Sequence, residues 1–89
     1  MTFAVRHDQE AKKFIADIEG QEATISYETD PDGTFDLVHT FVPPPLRGKG
    51  IADELARQTL DRLKAEGTTY RLTCPFLRTY VLRHPEAAP

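Results

Sequence analysis

The sequence predicts an α/β fold: an antiparallel meander of three strands, then a β-α-β crossover, then a short C-terminal helix. Three observations carry that expectation. Between Lys13 and Val42 apolar residues recur at alternate positions, with turn residues between the runs. Pro43-Pro44-Pro45 then ends the sheet pattern, because consecutive prolines supply no backbone donors to a ladder. From Gly50 onward the apolar spacing changes to the three-and-four rhythm of a helix.

The first strand covers Lys13 to Glu19, with Phe14, Ala16 and Ile18 on one side. Glu19-Gly20-Gln21 is a turn. Glu22 to Glu28 sets Ala23, Ile25 and Tyr27 against Thr24, Ser26 and Glu28, the mark of a half-buried strand. Asp30-Pro31-Asp32-Gly33 is a second turn, since proline fixes φ and glycine accepts φ > 0. Thr34 to Val42, rich in β-branched and aromatic residues, is the third strand. The main helix is expected over 50–66. Ile51, Leu55, Leu60 and Leu63 share a face with Ala52, Ala56 and Thr59, and Gly67 stands where a helix commonly stops. Thr69 to Cys74 is the fourth strand, and Phe76 to Arg83 a short helix closed by Pro85. A crossover of this length places the fourth strand parallel to the third, with a right-handed connection. Residues 1–12 are polar and read as a loosely ordered lead-in to a single domain spanning 1–89.

Composition narrows the function classes. Net charge is −3, and the bases fall into separate small groups, so nucleic acid is not an expected partner. No apolar run approaches the ~20 residues that span a bilayer, so no membrane association is expected. The opening residues lack a basic segment followed by a long apolar one, so no signal peptide is expected. A lone cysteine, Cys74, excludes an internal disulfide and makes a reducing, cytoplasmic setting the expectation. The three histidines and Cys74 show no pairwise ligand spacing, so no metal is expected.

The chemistry concentrates in Arg47-Gly48-Lys49-Gly50-Ile51-Ala52, between a strand and the start of the longest helix. The first amides of a helix have no internal acceptor, and the helix dipole adds partial positive charge there. Glycines allow a ligand close to the backbone, and Arg47 and Lys49 add full charges. The segment suits a phosphate or pyrophosphate. It is not a Walker loop. Nor is it the dinucleotide fingerprint, since Asp53 stands where the third glycine belongs.

Arg47-x-x-Gly50-x-Ala52 resembles the pyrophosphate-holding signature of the GNAT superfamily of acetyltransferases. His39-Thr40-Phe41-Val42-Pro43 before it, then Cys74-Pro75-Phe76 and Tyr80 with Arg83-His84-Pro85 after it, are similar to a compact branch of that superfamily. The resemblance runs from about Phe14 to Glu86. It implies a minimal GNAT-like fold whose third and fourth strands splay apart and hold acetyl-CoA, the co-substrate. The pantetheine is then expected along Phe41 and Val42, and the pyrophosphate on Arg47, Gly48, Lys49, Gly50, Ile51 and Ala52. It also implies transfer of the acetyl group to an amine acceptor, with binding of CoA or acyl-CoA without efficient catalysis as the alternative. The chain lacks the helix pair and the last strands with which larger members shape the acceptor site, so the acceptor is unassigned.

Three residues are candidates for catalysis. Cys74 reads either as a small buried hydrophobe or as a thiol at the acetyl site, placed where a strand gives way to a helix. His39, assigned by alternation to one face with Phe35, Leu37 and Phe41, reads as a hydrogen-bonded core residue or as a proton relay that orients Cys74. Tyr80 packs on the last helix; by resemblance it protonates the departing CoA thiolate. Arg78 and Arg83 are helix charges, of which one is a candidate partner for the CoA phosphates. His7 falls in the lead-in and is assigned no role.

Overall fold

A computed structural model describes residues 3–89. Five strands form one sheet in chain order: β1 Val5–Asp8, β2 Lys13–Ile18, β3 Gln21–Thr29, β4 Phe35–Phe41 and β5 Tyr70–Leu72. The first four are antiparallel neighbours and β5 lies parallel to β4. Helix α1, Ile51–Ala65, makes the crossover, and α2, Pro75–Arg83, follows β5. This is the α/β meander-plus-crossover arrangement that the residue pattern predicts, with one strand added at the front.

Turn chemistry sets the meander. Ile18 faces Gln21, and the two residues between them, Glu19 and Gly20, both have positive φ (52° and 77°). A two-residue hairpin that matches the twist of its strands needs that. In the next turn the Gly33 N–H donates to the Asp30 carbonyl at 2.9 Å, with Gly33 at φ 90°.

The lead-in reading of residues 1–12 is corrected by β1. Val5 pairs with Ala16 and His7 with Phe14. His7 stacks on Phe14 with ring centroids 4.3 Å apart, and its Nε2 lies 2.7 Å from the Tyr27 hydroxyl. Gln58 and Arg62 of α1 donate to the carbonyls of Phe3 and Val5. An inward histidine counts as polar in a hydropathy pattern, and its partners are remote in sequence. Met1 and Thr2 lie outside the described residues.

One core joins the sheet to both helices. Phe14, Ile25, Tyr27 and Leu37 from the sheet pack with Leu55, Leu60 and Leu63 of α1 and with Leu77 and Tyr80 of α2. The opposite face is largely polar, with Arg6 bridging Asp17 and Glu22. Arg71 on that face bonds Asp30 and Asp36.

A bulge in β4 corrects the assignment of His39. Tyr27 faces Leu37, yet Ser26 faces His39, so Val38 is an extra residue. The insertion reverses the alternation. Phe35 and Leu37 stay on the helix side, Thr40 joins them opposite Ile25, and His39 and Phe41 turn to the open face. His39 is therefore exposed rather than a core residue.

Candidate functional site

The parallel ladder between β4 and β5 is short. Phe35, Asp36 and Leu37 face Tyr70, Arg71 and Leu72. The N–H groups of Thr73 and Cys74 then both donate to the Leu37 carbonyl, at 3.0 and 2.9 Å, as the chain turns into α2. β4 runs on to Phe41, so a gap opens between the two strands beyond Leu37.

Alternation identifies which backbone groups face this gap. The Tyr27 N–H donates to Lys12 of the β1–β2 turn, so Tyr27 and Ile25 direct their backbone toward β2. Ser26 and Thr24 direct theirs toward β4, where they meet His39 and Phe41. Thr40, between those two, turns its N–H and C=O away from β3 and into the gap. Its hydroxyl stands 3.4 Å from the Cys74 thiol. Cys74 is buried and forms the N-cap of α2. The gap thus has Thr40 and Cys74 on the helix side and His39 on the open side. Thr40 falls within the His39–Pro43 segment of the family resemblance, but only the bulge brings it to this place.

The glycine loop lies at the end of the same strand. The Arg47 Nε–H donates to the Val42 carbonyl at 2.9 Å, which ties the loop to the strand. Gly48 and Gly50 have φ 79° and 76°, a left-handed conformation that a side chain disfavours. Gly50 is the N-cap of α1, and its carbonyl accepts the first helical bond from the Glu54 N–H at 3.2 Å. The amides of Ile51, Ala52 and Asp53 therefore have no intrahelical acceptor, and glycine supplies no capping side chain. The acidic residues of the first turn are engaged elsewhere. Arg57 and Gln58 hold Glu54 and lower its pKa to about 2, the Arg57 hydrogen bond being the larger cause. Asp53 is bound by Arg83 of α2.

Two hollows flank this helix end. One, of about 220 Å³, is lined by Val42, Leu46, Arg47, Gly48 and Ala52. The other, of about 340 Å³, is lined by Lys49, Arg57, Tyr80 and His84, and both share Gly50 and Asp53. Val42, Arg47, Gly48, Gly50, Ile51 and Ala52 thus share one hollow, and Lys49 lines the other. Tyr80 belongs to the loop end of the site rather than to the gap. Its ring stacks on His84 at 4.4 Å, and burial pushes its phenol pKa up, with the charges of Asp61 and Asp53 adding to the effect.

A family model described as GCN5-related N-acetyl-transferase matches residues 13–89. The chain belongs to that family. Over 83 residues it is 36% identical to Protein NATD1 of Xenopus tropicalis, a match covering 91% of this chain and 76% of the relative. Protein NATD1 of Mus musculus shows the same identity and coverage. For Protein NATD1 of Homo sapiens the identity is 36% over 83 residues, with 74% of the relative covered. Acetyl transfer is the general chemistry of GCN5-related proteins. In this member the family match begins at β2 and includes the gap, the loop and both helices. No helix among the described residues is long and apolar enough to cross a membrane.

Proposed function

We propose that this GCN5-related chain binds acetyl-CoA and passes its acetyl group directly to an amine. The observation that carries the reading is the alignment of two features along β4. An unpaired backbone edge begins beyond Leu37, and a cluster of free helix amides begins at Ile51. The first suits an amide-bearing arm that continues the sheet. The second suits the pyrophosphate at the far end of that arm.

The chemistry follows from the two faces of the gap. The thioester carbonyl is polarised by a backbone N–H, and Thr40 is the residue whose N–H faces the opening. The amine approaches from the open face, where His39 is exposed and serves as the base. Its nitrogen forms a bond to the carbonyl carbon, the C–S bond breaks, and His39 takes the surplus proton. The departing thiolate takes the proton of the Cys74 thiol, and the proton held on His39 returns to Cys74 through solvent, so the cycle closes as amine plus acetyl-CoA giving amide plus CoA thiol. Tyr80, with its raised pKa and its place beside the loop, is the poorer acid at that position.

Acetyl-CoA titrated into the labelled protein should move the amides of Thr40 and of Arg47 through Ala52 first and most. Release of free CoA thiol in the presence of an amine panel reads turnover. Shifts confined to other residues would sink the site. Binding without turnover on any amine would leave a CoA-binding protein.

A further inference from the structure

We propose that Arg83 is a positioning residue that neutralises Asp53, and so makes the helix end able to accept a phosphate-bearing ligand. The inference rests on the acetyl-CoA reading above and goes beyond it to assign a charge that the glycine motif does not contain.

Asp53 is an awkward residue where it stands. It is the third residue of α1, so its amide is one of the free donors, and its carboxylate lines both hollows beside the glycine loop. A carboxylate here favours an isolated helix, because it complements the dipole. For the same reason it competes with, and repels, an anionic ligand bound to those amides. Neither loop base pairs with it: Arg47 is turned to the Val42 carbonyl, and Lys49, which shares the second hollow with Asp53, makes no ion pair with it among the described residues. Within the first turn, Glu54 has its own partners in Arg57 and Gln58.

Arg83 answers this from thirty residues away, on α2. Its two Nη atoms reach the two Asp53 carboxylate oxygens at 3.1 and 3.3 Å, a two-pronged pairing that a lysine does not reproduce. The guanidinium also lies 5.8 Å from the Tyr80 ring centroid, and Tyr80 is in turn stacked on His84. The arginine is thereby aimed at α1. Arg78, the other candidate on α2, donates its Nε–H to the Leu72 carbonyl instead. The pair is about half exposed on both sides, so it contributes little to folding, and its effect belongs to the charge of the site.

The test is a double-mutant cycle read by calorimetric titration with CoA. Arg83→Ala should weaken binding by about tenfold, since it leaves an uncompensated carboxylate beside the phosphates. Asp53→Asn should bind CoA as tightly as the parent or more so. The double variant, Asp53→Asn with Arg83→Ala, should return to within a factor of about three of the parent, because the arginine acts through the aspartate. The KM for acetyl-CoA should follow the same order with kcat unchanged, and thermal melts should show every variant folded at the titration temperature. A double variant as weak as Arg83→Ala would mean that Arg83 touches the ligand directly, and would overturn the proposal. So would an Arg83→Ala protein with parental affinity, or an Asp53→Asn protein that binds more weakly. If the parent does not bind CoA, the acetyl-CoA reading itself fails. If the parent binds and the cycle is flat, only the role of Arg83 fails.

Discussion

Thr40 and Cys74 meet across the opening where β4 and β5 part, with the hydroxyl oxygen 3.4 Å from the sulfur. The contact depends on the extra residue at Val38, which turns Thr40 inward. It also divides the work of one residue in two. The Thr40 side chain touches Cys74, while its N–H faces the gap.

That division predicts the outcome at Thr40. Thr40→Val keeps the shape and the N–H but removes the hydroxyl. If polarisation of the carbonyl comes from the backbone, kcat should fall by no more than about tenfold and CoA affinity should hold. A loss of about 10²-fold or more, the scale of a lost oxyanion donor, would assign that role to the hydroxyl instead.

At Cys74 the direct-transfer route makes a sharper statement. Cys74→Ala removes the proton donor and should lower kcat by something near 10²-fold, with CoA affinity little changed. Tyr80→Phe should affect kcat less, because the tyrosine lines the loop-side hollow. Intact protein incubated with acetyl-CoA alone should gain no acetyl mass. An adduct on Cys74 that discharges to an amine at the turnover rate would replace direct transfer with a covalent route.

The strands β2, β3 and β4 and the helix α1 are legible in the sequence because each buries one face, and a buried face writes a period into the residues. The glycine loop is legible because positive φ at Gly48 and Gly50 restricts residue choice locally. The bulge is not. Phe35 to Phe41 reads as ordinary alternation, and the insertion of Val38 exists only in the pairing with β3. Alternation alone puts His39 on the helix face and Thr40 on the open face for that one reason. β1 is not legible either, because its inward residue is a histidine held by Phe14 and Tyr27. The Asp53–Arg83 pair joins two helices and leaves no local trace at all.

Gly50 separates backbone conformation from ligand contact. A Cβ built there meets no protein atom within 4 Å, but φ is 76°. Gly50→Ala should therefore cost ~1 kcal/mol of stability from the left-handed conformation alone. Gly50→Val should cost more and, on the proposed acetyl-CoA site, should also weaken CoA binding by about tenfold or more, since its side chain stands beside the free amides of Ile51 and Ala52. A folded Gly50→Val protein with parental affinity would remove the loop from the site.

His7 predicts how stability responds to pH. Burial is the main cause that lowers its pKa below the ordinary 6.5, and the charge of Arg62 adds to it, while Glu66 and Asp8 act in the opposite direction. The ring stacks on Phe14, lies edge-on to Phe35 and shares a hydrogen bond with Tyr27, so the folded protein favours the neutral form. The unfolded chain takes up the proton more readily. Stability from His7 is thus complete above about pH 6.5 and is lost as the pH falls from there through the lower folded-state value. The melting temperature should drop by a few degrees between about pH 7.5 and pH 5.5, beyond the change in a His7→Phe protein. That variant loses the Tyr27 hydrogen bond and should melt lower at neutral pH, yet its curve across this window should be flatter. Two parallel curves would mean that His7 does not carry the pH response, and that β1 is held by its backbone ladder and by Gln58 and Arg62.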